Sequence, residues 1–195
     1  TVLFPDGLLP LRVFEVRYLD MIGKCQRAGA PFGVVGLTQG QEVRRPGAAP
    51  ESFSDVGTLA TIESTELPQP GLMLVRCTGR QRFRIDRSER LRNGLWIADV
   101  QGLPPDAEVP IPEDLQGVAW ALRQVADSLG QRQEPEGAPV FAEPHRFEDC
   151  GWVANRWCEL LPLPLQLRQK LMELDNPLVR LELVGDFLTR AGIQH

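Results

Sequence analysis

The sequence of 195 residues lacks the features that mark membrane and secreted proteins. No apolar run approaches the ~18 residues that a membrane-spanning helix requires. The opening TVLFPDGLLP has neither the basic start nor the uninterrupted apolar stretch of a signal peptide. These absences lead us to expect a cytoplasmic protein that has no membrane partner.

Metal-binding and nucleotide-binding motifs are also missing. The four cysteines, Cys25, Cys77, Cys150 and Cys158, form no C-x-x-C pair, so the spacing of a zinc ribbon is absent. The phosphate-binding pattern G-x-x-x-x-G-K-[ST] does not occur, because Gly23-Lys24 is followed by Cys25 and has no glycine five positions before Gly23. We therefore expect no metal and no cofactor, and four reduced thiols.

An excess of positive charge is absent as well. Lys and Arg number 21 against 26 Asp and Glu, which gives a formal net charge of −5. A domain that binds nucleic acid gains most of its affinity by neutralising phosphates, so this balance argues against nucleic acid as a partner.

Proline and glycine, by contrast, are abundant, at 17 and 18 residues. Interior prolines break helices, so this composition excludes a long coiled coil and favours short elements joined by turns. Before residue 110, apolar runs of strand length occur at 32–37, 56–62, 71–79, 82–85 and 95–100. A helical pattern covers about 14–28, and the polar, Gly/Pro-rich segment 39–55 is predicted to be a loop.

After residue 110 the periodicity becomes helical. Apolar residues recur at helical spacing from 115 to 129, from 147 to 161, from 164 to 174 and from 177 to 188, with a second Pro-rich connection at 130–146. The predicted fold class is therefore α+β, with a β-rich subdomain at 1–110 and a helical subdomain at 111–195.

A cluster of seven arginines lies between Arg76 and Arg92 and, with two acidic residues, carries a net charge of +5. Arg82 and Arg84 alternate with Phe83 and Ile85, the pattern of a half-buried strand with the arginines on one face. Guanidinium groups there could bind an acidic partner, a phosphate or RNA. The simpler interpretation is a solvated sheet face that discourages edge aggregation.

Two further groups of residues carry a chemical and a structural interpretation each. His145, Asp149 and Cys150 include the residue types of a nucleophilic cysteine site, but proximity in sequence does not place a base beside the thiol. The tryptophans Trp96, Trp120, Trp152 and Trp157 are of the type that forms an aromatic cage, although core packing is the default expectation.

Several motifs together resemble a known family. The segment LFPDGLLPLRVFEVRYLDMI (residues 3–22) is similar to the start of the Lon protease amino-terminal domain, LFP-x-x-x-LPL-x-IFE-x-RY-x-x-LI. Pieces at 31–35, 56–62, 66–85, 96–100 and 167–188 follow in the order of that family. The resemblance implies a PUA-like β pseudo-barrel followed by a small helical bundle, in the version that stands alone in bacteria.

The resemblance also implies a role in recognising proteins. In Lon proteases the domain recognises substrate proteins and helps to assemble the hexamer, which suggests a polypeptide partner or unfolded segment and a homo-oligomer. Arg12, Glu15 and Arg17 would then lie at the rim of a protein-binding surface; the structural alternative is an intradomain salt-bridge set at a strand-to-helix junction.

The leading hypothesis from the sequence is a non-enzymatic protein-binding module, such as an adaptor in protein quality control. Its partner-binding candidates are Arg12, Glu15, Arg17, Arg82 and Arg84. The alternative is an RNA- or nucleotide-binding module that uses the Arg76–Arg92 cluster. No residue is predicted to be catalytic.

Overall fold

The computed structural model describes residues 1–39, 51–132 and 139–193. The chain divides into two compact units, Thr1–Pro105 and Asp106–His195, and each is described by itself. Within the described residues, no helix is both long and apolar enough to cross a membrane. The domain boundary near residue 110 stays a prediction, because a compact unit need not fold independently.

The first unit is an antiparallel sheet with one helix. Its elements are β1 (Leu8–Val13), α1 (Val16–Ala28), β2 (Phe32–Gln39), β3 (Ser52–Gln69), β4 (Leu72–Arg90) and β5 (Trp96–Gly102). The strand order is β1-β4-β3-β2, and β5 also pairs with β4. Strand β1 pairs with residues 73–78 of β4, and β5 pairs with residues 83–90. Strand β3 pairs along the other edge of β4, so β1 and β5 follow one another along the same edge.

The sequence patterns located most of these elements, and three details are corrected. The apolar runs at 71–79 and 82–85 belong to one strand, β4, rather than two. Residues 52–55 of the predicted 39–55 loop begin β3, and Gln39 ends β2, while 40–50 lie outside the described residues. The predicted helix at 14–28 begins at Val16, so Phe14 precedes it.

Helix α1 covers the core of the first unit. Ile22 is buried in a cluster with residues from β1, β3 and β4 and from the amino-terminal segment: Leu3, Val13, Ala60, Val75 and Cys77. The helix ends at Gly29, whose left-handed φ of 60° lets its N–H donate to the Gln26 carbonyl. Helix α1 and the sheet therefore share one apolar interior.

The amino-terminal segment crosses the sheet at Gly79. The Asp6 N–H donates to the Gly79 carbonyl at 2.9 Å, and the Gly79 N–H donates to the Gly7 carbonyl at 2.8 Å. A Cβ at position 79 would lie 2.2 Å from the Phe4 carbonyl oxygen, so only glycine permits this approach.

The second unit is helical, with α2 (Gln116–Arg132), α3 (Cys150–Leu160), α4 (Leu165–Glu173) and α5 (Pro177–Arg190). Helix α3 is the central element, since every residue from Cys150 to Cys158 is buried. The predicted 130–146 connection lies three residues further along the chain, because α2 continues to Arg132 and α3 begins at Cys150 rather than at 147. Residues 133–138 lie outside the described part.

The helix boundaries follow from capping side chains. Asn176 precedes Pro177 and its Oδ1 accepts from the N–H groups of Leu178 and Val179, as the Asp-Asn-Pro sequence predicts. Asp149 caps α3 by accepting from the Trp152 N–H at 2.7 Å. With a sheet in one unit and helices in the other, the predicted α+β fold class is confirmed.

Candidate functional site

The first unit contains a half-open cavity of about 610 Å³. Side chains from all five strands and from α1 line it, and most of them are apolar. Its apolar wall includes Leu11, Val13, Tyr18, Met21, Phe32, Val34, Leu37, Phe53, Phe83, Ile85, Leu95 and Ile97. A cavity of this size with mainly apolar walls and few polar groups has the character of a ligand-binding site.

Three large apolar side chains on the cavity wall are open to solvent. Phe14, in the junction between β1 and α1, is 55% exposed, and Ile97 and Val100 of β5 are also exposed. Exposed apolar side chains on the wall of a cavity are typical of an interaction site. These residues are available to a partner without any change in the core.

Trp96 is held in place on the cavity wall by polar and aromatic contacts. Its Nε1 donates to Glu51 Oε2 at 2.8 Å, and its ring meets the Phe53 ring edge-on at 5.1 Å between centroids. Arg90 lies 3.8 Å from Glu51 and places its guanidinium 5.9 Å from the Trp96 ring. The indole is therefore a preorganised part of the wall.

Arg12, Glu15 and Arg17 separate into two groups. Arg17 is buried; its Nη2 lies 3.0 Å from Glu15 Oε2 and its Nη1 donates to the Gly94 carbonyl at 2.6 Å. The intradomain salt-bridge interpretation is therefore confirmed for Glu15 and Arg17 at the start of α1. Arg12 is exposed, and both Arg12 and Glu15 line the cavity.

The expected exposed face at Arg82 and Arg84 is wrong for Arg82. Arg84 is exposed, but Arg82 is only 4% exposed. At Arg82 both edges of β4 are occupied. Thr58 of β3 pairs with Arg82 on one edge, and the Leu103 N–H donates to the Arg82 carbonyl on the other. Alternation predicts which residues of a strand share a face, but it does not predict what covers that face.

The rest of the arginine cluster is partly neutralised within the first unit. Arg80 pairs with Glu63 at 3.0 Å, Arg76 approaches Glu66 at 3.9 Å, and Arg90 pairs with Glu51. These contacts favour the structural interpretation of the cluster over a phosphate-binding surface, which would leave several guanidinium groups available at one place.

Asp149 and Cys150 occupy structural positions, and the His145 ring packs near the Trp152 ring, at 5.8 Å between centroids. Asp149 caps α3, and the buried Cys150 Sγ contacts the Pro110 carbonyl at 3.5 Å. Burial raises the pKa of Cys77 and of Cys150 to about 11, and that of Cys158 to about 12. A buried thiol that remains protonated at neutral pH is a poor nucleophile.

The tryptophans do not form a cage. Trp152 and Trp157 are buried in α3, and the Trp157 Nε1 donates to the Val118 carbonyl at 3.0 Å. Core packing was expected for Trp120 too, and this is wrong, because Trp120 is 62% exposed on α2. Trp96 is the tryptophan that lines the cavity.

Sequence reasoning missed the cavity as a site. It assigned Phe14 to the apolar face of α1 and the β5 residues to an ordinary strand. The available signal was a large apolar side chain just before a helix start, at Phe14, and the apolar residues Ile97 and Val100 in the run at 95–100. Such a pattern does not indicate a binding site until the strands are assembled into the sheet.

Comparisons with known proteins agree with this fold. A crystal structure of a Lon N-terminal domain protein from Xanthomonas campestris matches with a TM-score of 0.68 and 29% identity, over 94% of this chain and 91% of that chain. The N-terminal domain of a Mycobacterium avium complex Lon protease matches with a TM-score of 0.59 and 14% identity, over 97% and 93% of the two chains.

Among curated proteins, Lon protease 1 of Bdellovibrio bacteriovorus is 24% identical over the whole of this chain, which spans 24% of that protein's length. A sequence model of the ATP-dependent protease La (LON) substrate-binding domain matches residues 1–190. The chain therefore belongs to the family of Lon substrate-binding domains.

Proposed function

We propose that this protein binds apolar segments of polypeptides in the cavity of its first unit, and that it acts as a binding module without catalytic activity of its own. The observation that carries the proposal is the half-open apolar cavity with Phe14, Ile97 and Val100 exposed at its wall. Membership of a substrate-binding family supports a polypeptide as the ligand.

The geometry favours segments that insert large side chains over ligands held by hydrogen bonds. The walls offer aromatic and aliphatic contacts, and the fixed Trp96 ring adds a rigid aromatic surface. Binding is then driven by burial of apolar area, at about 25 cal/mol for each Å² removed from water. Unfolded proteins expose such side chains, so an adaptor role in protein quality control fits this cavity.

The experiment is a titration of a fluorescently labelled, unstructured peptide rich in Phe and Leu, followed by fluorescence anisotropy. Phe14→Ala removes apolar area that is exposed in the free protein and buried on binding. Full burial of a Phe side chain contributes roughly 1.5–3 kcal/mol, and about half of it is available at Phe14, so we expect an affinity loss of about fivefold.

The matched control is Leu67→Ala near the tip of the β3–β4 hairpin. Leu67 is 69% exposed, belongs to the same unit and does not line the cavity. Its replacement is expected to leave the affinity unchanged. Equal losses in the two variants, or no binding by the unaltered protein, would contradict the proposal.

Self-association also stays a proposal. Sedimentation velocity across a range of protein concentrations measures it directly, and a mass that does not increase with concentration would exclude a weakly associating homo-oligomer.

A further inference from the structure

The charged side chains on the cavity wall are not equivalent. They are Arg12, Glu15 and Glu51. Glu15 is paired with Arg17, and Glu51 accepts from Trp96 and lies near Arg90. Both carboxylates on the wall are thus already engaged by cations or donors of the protein itself.

Arg12 differs from both. Its side chain is exposed, and it forms no ion pair or hydrogen bond with any residue in the described ranges. It belongs to β1 and lies two residues before Phe14, which also lines the cavity. Among the charged side chains of the cavity wall, Arg12 is therefore the one that is both positive and available, two residues from the exposed Phe14 ring, in a chain whose net charge is −5.

From this arrangement we propose that the cavity prefers apolar segments that carry a carboxylate, and that Arg12 is the residue that binds it. The proposal rests on the proposed function and adds the substrate class to it. A guanidinium presents a planar set of donors that matches a carboxylate and forms charge-assisted hydrogen bonds. Apolar side chains would occupy the cavity while the carboxylate remains at its solvent-exposed edge, where less desolvation is required.

Two sources of carboxylate satisfy the same chemistry: an Asp or Glu side chain within the segment, and the carboxyl terminus of a polypeptide. An exposed basic residue at the edge of a site mainly affects the association rate and the salt dependence. The preference should therefore weaken as ionic strength rises, since exposed charges are screened over about 8–10 Å at 0.10–0.15 M salt.

The test uses one Phe- and Leu-rich peptide scaffold in four forms. The first has a Glu and an amidated terminus, the second replaces this Glu by Gln, the third has the Gln and a free carboxyl terminus, and the fourth replaces the Glu by Lys. Dissociation constants are measured by anisotropy for the unaltered protein, for Arg12→Gln and for the control Arg27→Gln. Arg27 is exposed in the last turn of α1 and does not line the cavity.

We expect at least one carboxylate form to bind about threefold to tenfold more tightly than the neutral Gln form at low salt, and the Lys form to bind least tightly. Arg12→Gln should remove this preference, so that the carboxylate and neutral forms bind with equal affinity, and Arg27→Gln should retain the preference. The carboxylate form that binds more tightly shows whether the carboxylate comes from an acidic side chain or from the carboxyl terminus.

Equal affinities for the carboxylate and neutral forms would overturn the proposal, as would a preference that survives Arg12→Gln. In both cases the neutral peptide still binds, so the proposed function stands. Failure of every form to bind would contradict the proposed function and this inference together.

Discussion

Replacement of Arg180 by methionine is expected to destabilise the second unit severely. Arg180 is 1% exposed, and its guanidinium binds Asp106, Asn155 Oδ1 at 3.0 Å, and the carbonyls of Leu171 at 2.9 Å and of Leu174. Methionine has similar length but no donor, so it would leave these acceptors without their cation. Removal of one partner from a buried ion pair costs about 3–5 kcal/mol.

This loss is large relative to the roughly 5–15 kcal/mol by which a domain is stable. Urea unfolding followed by tryptophan fluorescence measures it, because three of the four tryptophans, Trp120, Trp152 and Trp157, belong to the second unit. With a denaturant slope of about 1–3 kcal/mol per M, a loss of 3 kcal/mol lowers the midpoint by about 1–3 M.

The matched control is Arg190→Met in the last turn of the same helix, where the arginine is exposed. An exposed charge near a helix carboxyl end contributes less than about 1 kcal/mol. If Arg180→Met and Arg190→Met shift the midpoint by the same amount, or if Arg180→Met shifts it by less than about 0.3 M, the buried network does not stabilise the unit and the reasoning is refuted.

Three further predictions concern thiols, backbone and caps. With a thiol reagent near pH 8, Cys25 should react first, and the three buried thiols should react only after unfolding. Because burial raises the pKa of these thiols, the free energy of unfolding should fall above about pH 9. A series of urea melts at increasing pH measures this decrease. Gly79→Ala should lower the free energy of unfolding by at least about 2 kcal/mol, because the new Cβ would collide with the Phe4 carbonyl oxygen. Gly130→Ala should instead stabilise α2 by about 0.5–1 kcal/mol, because a Cβ there meets nothing within 4 Å. Thermal melts compare the two variants. Asn176→Ala should cost about 1 kcal/mol in the same melts, and no loss would contradict its capping role.

Much of the fold could be predicted because local sequence signals and tertiary structure agree. The Asp-Asn-Pro sequence before α5 acts as a cap, and the Gly29 break ends α1. The apolar runs of strand length lie in β2, β3, β4 and β5. Where a residue's conformation depends on its immediate neighbours, the sequence alone is sufficient to predict the secondary structure.

Exposure could not be predicted in the same way. Arg82 alternates with apolar residues along β4 as a residue of a solvated face would, yet it is buried, because burial depends on what packs over a strand face. Trp120 has the hydrophobicity of a core residue but is exposed on α2. Both outcomes depend on contacts between residues far apart in the sequence, which composition and periodicity do not contain.

The candidate site, too, could be predicted from the sequence only in part. Arg12 and Glu15 were identified as candidates through the family resemblance, and both line the cavity. Its remaining walls come from segments as distant in sequence as Leu11 and Val100, so the cavity exists only after five strands and α1 assemble. The sequence is compatible with an intradomain salt-bridge set of Arg12, Glu15 and Arg17, but only the folded chain shows that Glu15 pairs with Arg17 and leaves Arg12 available.

The most direct test of the central claim is site-specific photo-crosslinking at the cavity. A photoreactive benzoyl-phenylalanine at position 14, with the same group at position 67 as the control, is irradiated in the presence of an unfolded, Phe- and Leu-rich polypeptide. The account predicts efficient crosslinking from position 14 and little from position 67, with competition by unlabelled peptide. Equal crosslinking at both positions, or crosslinking at position 14 that excess peptide does not reduce, would contradict it.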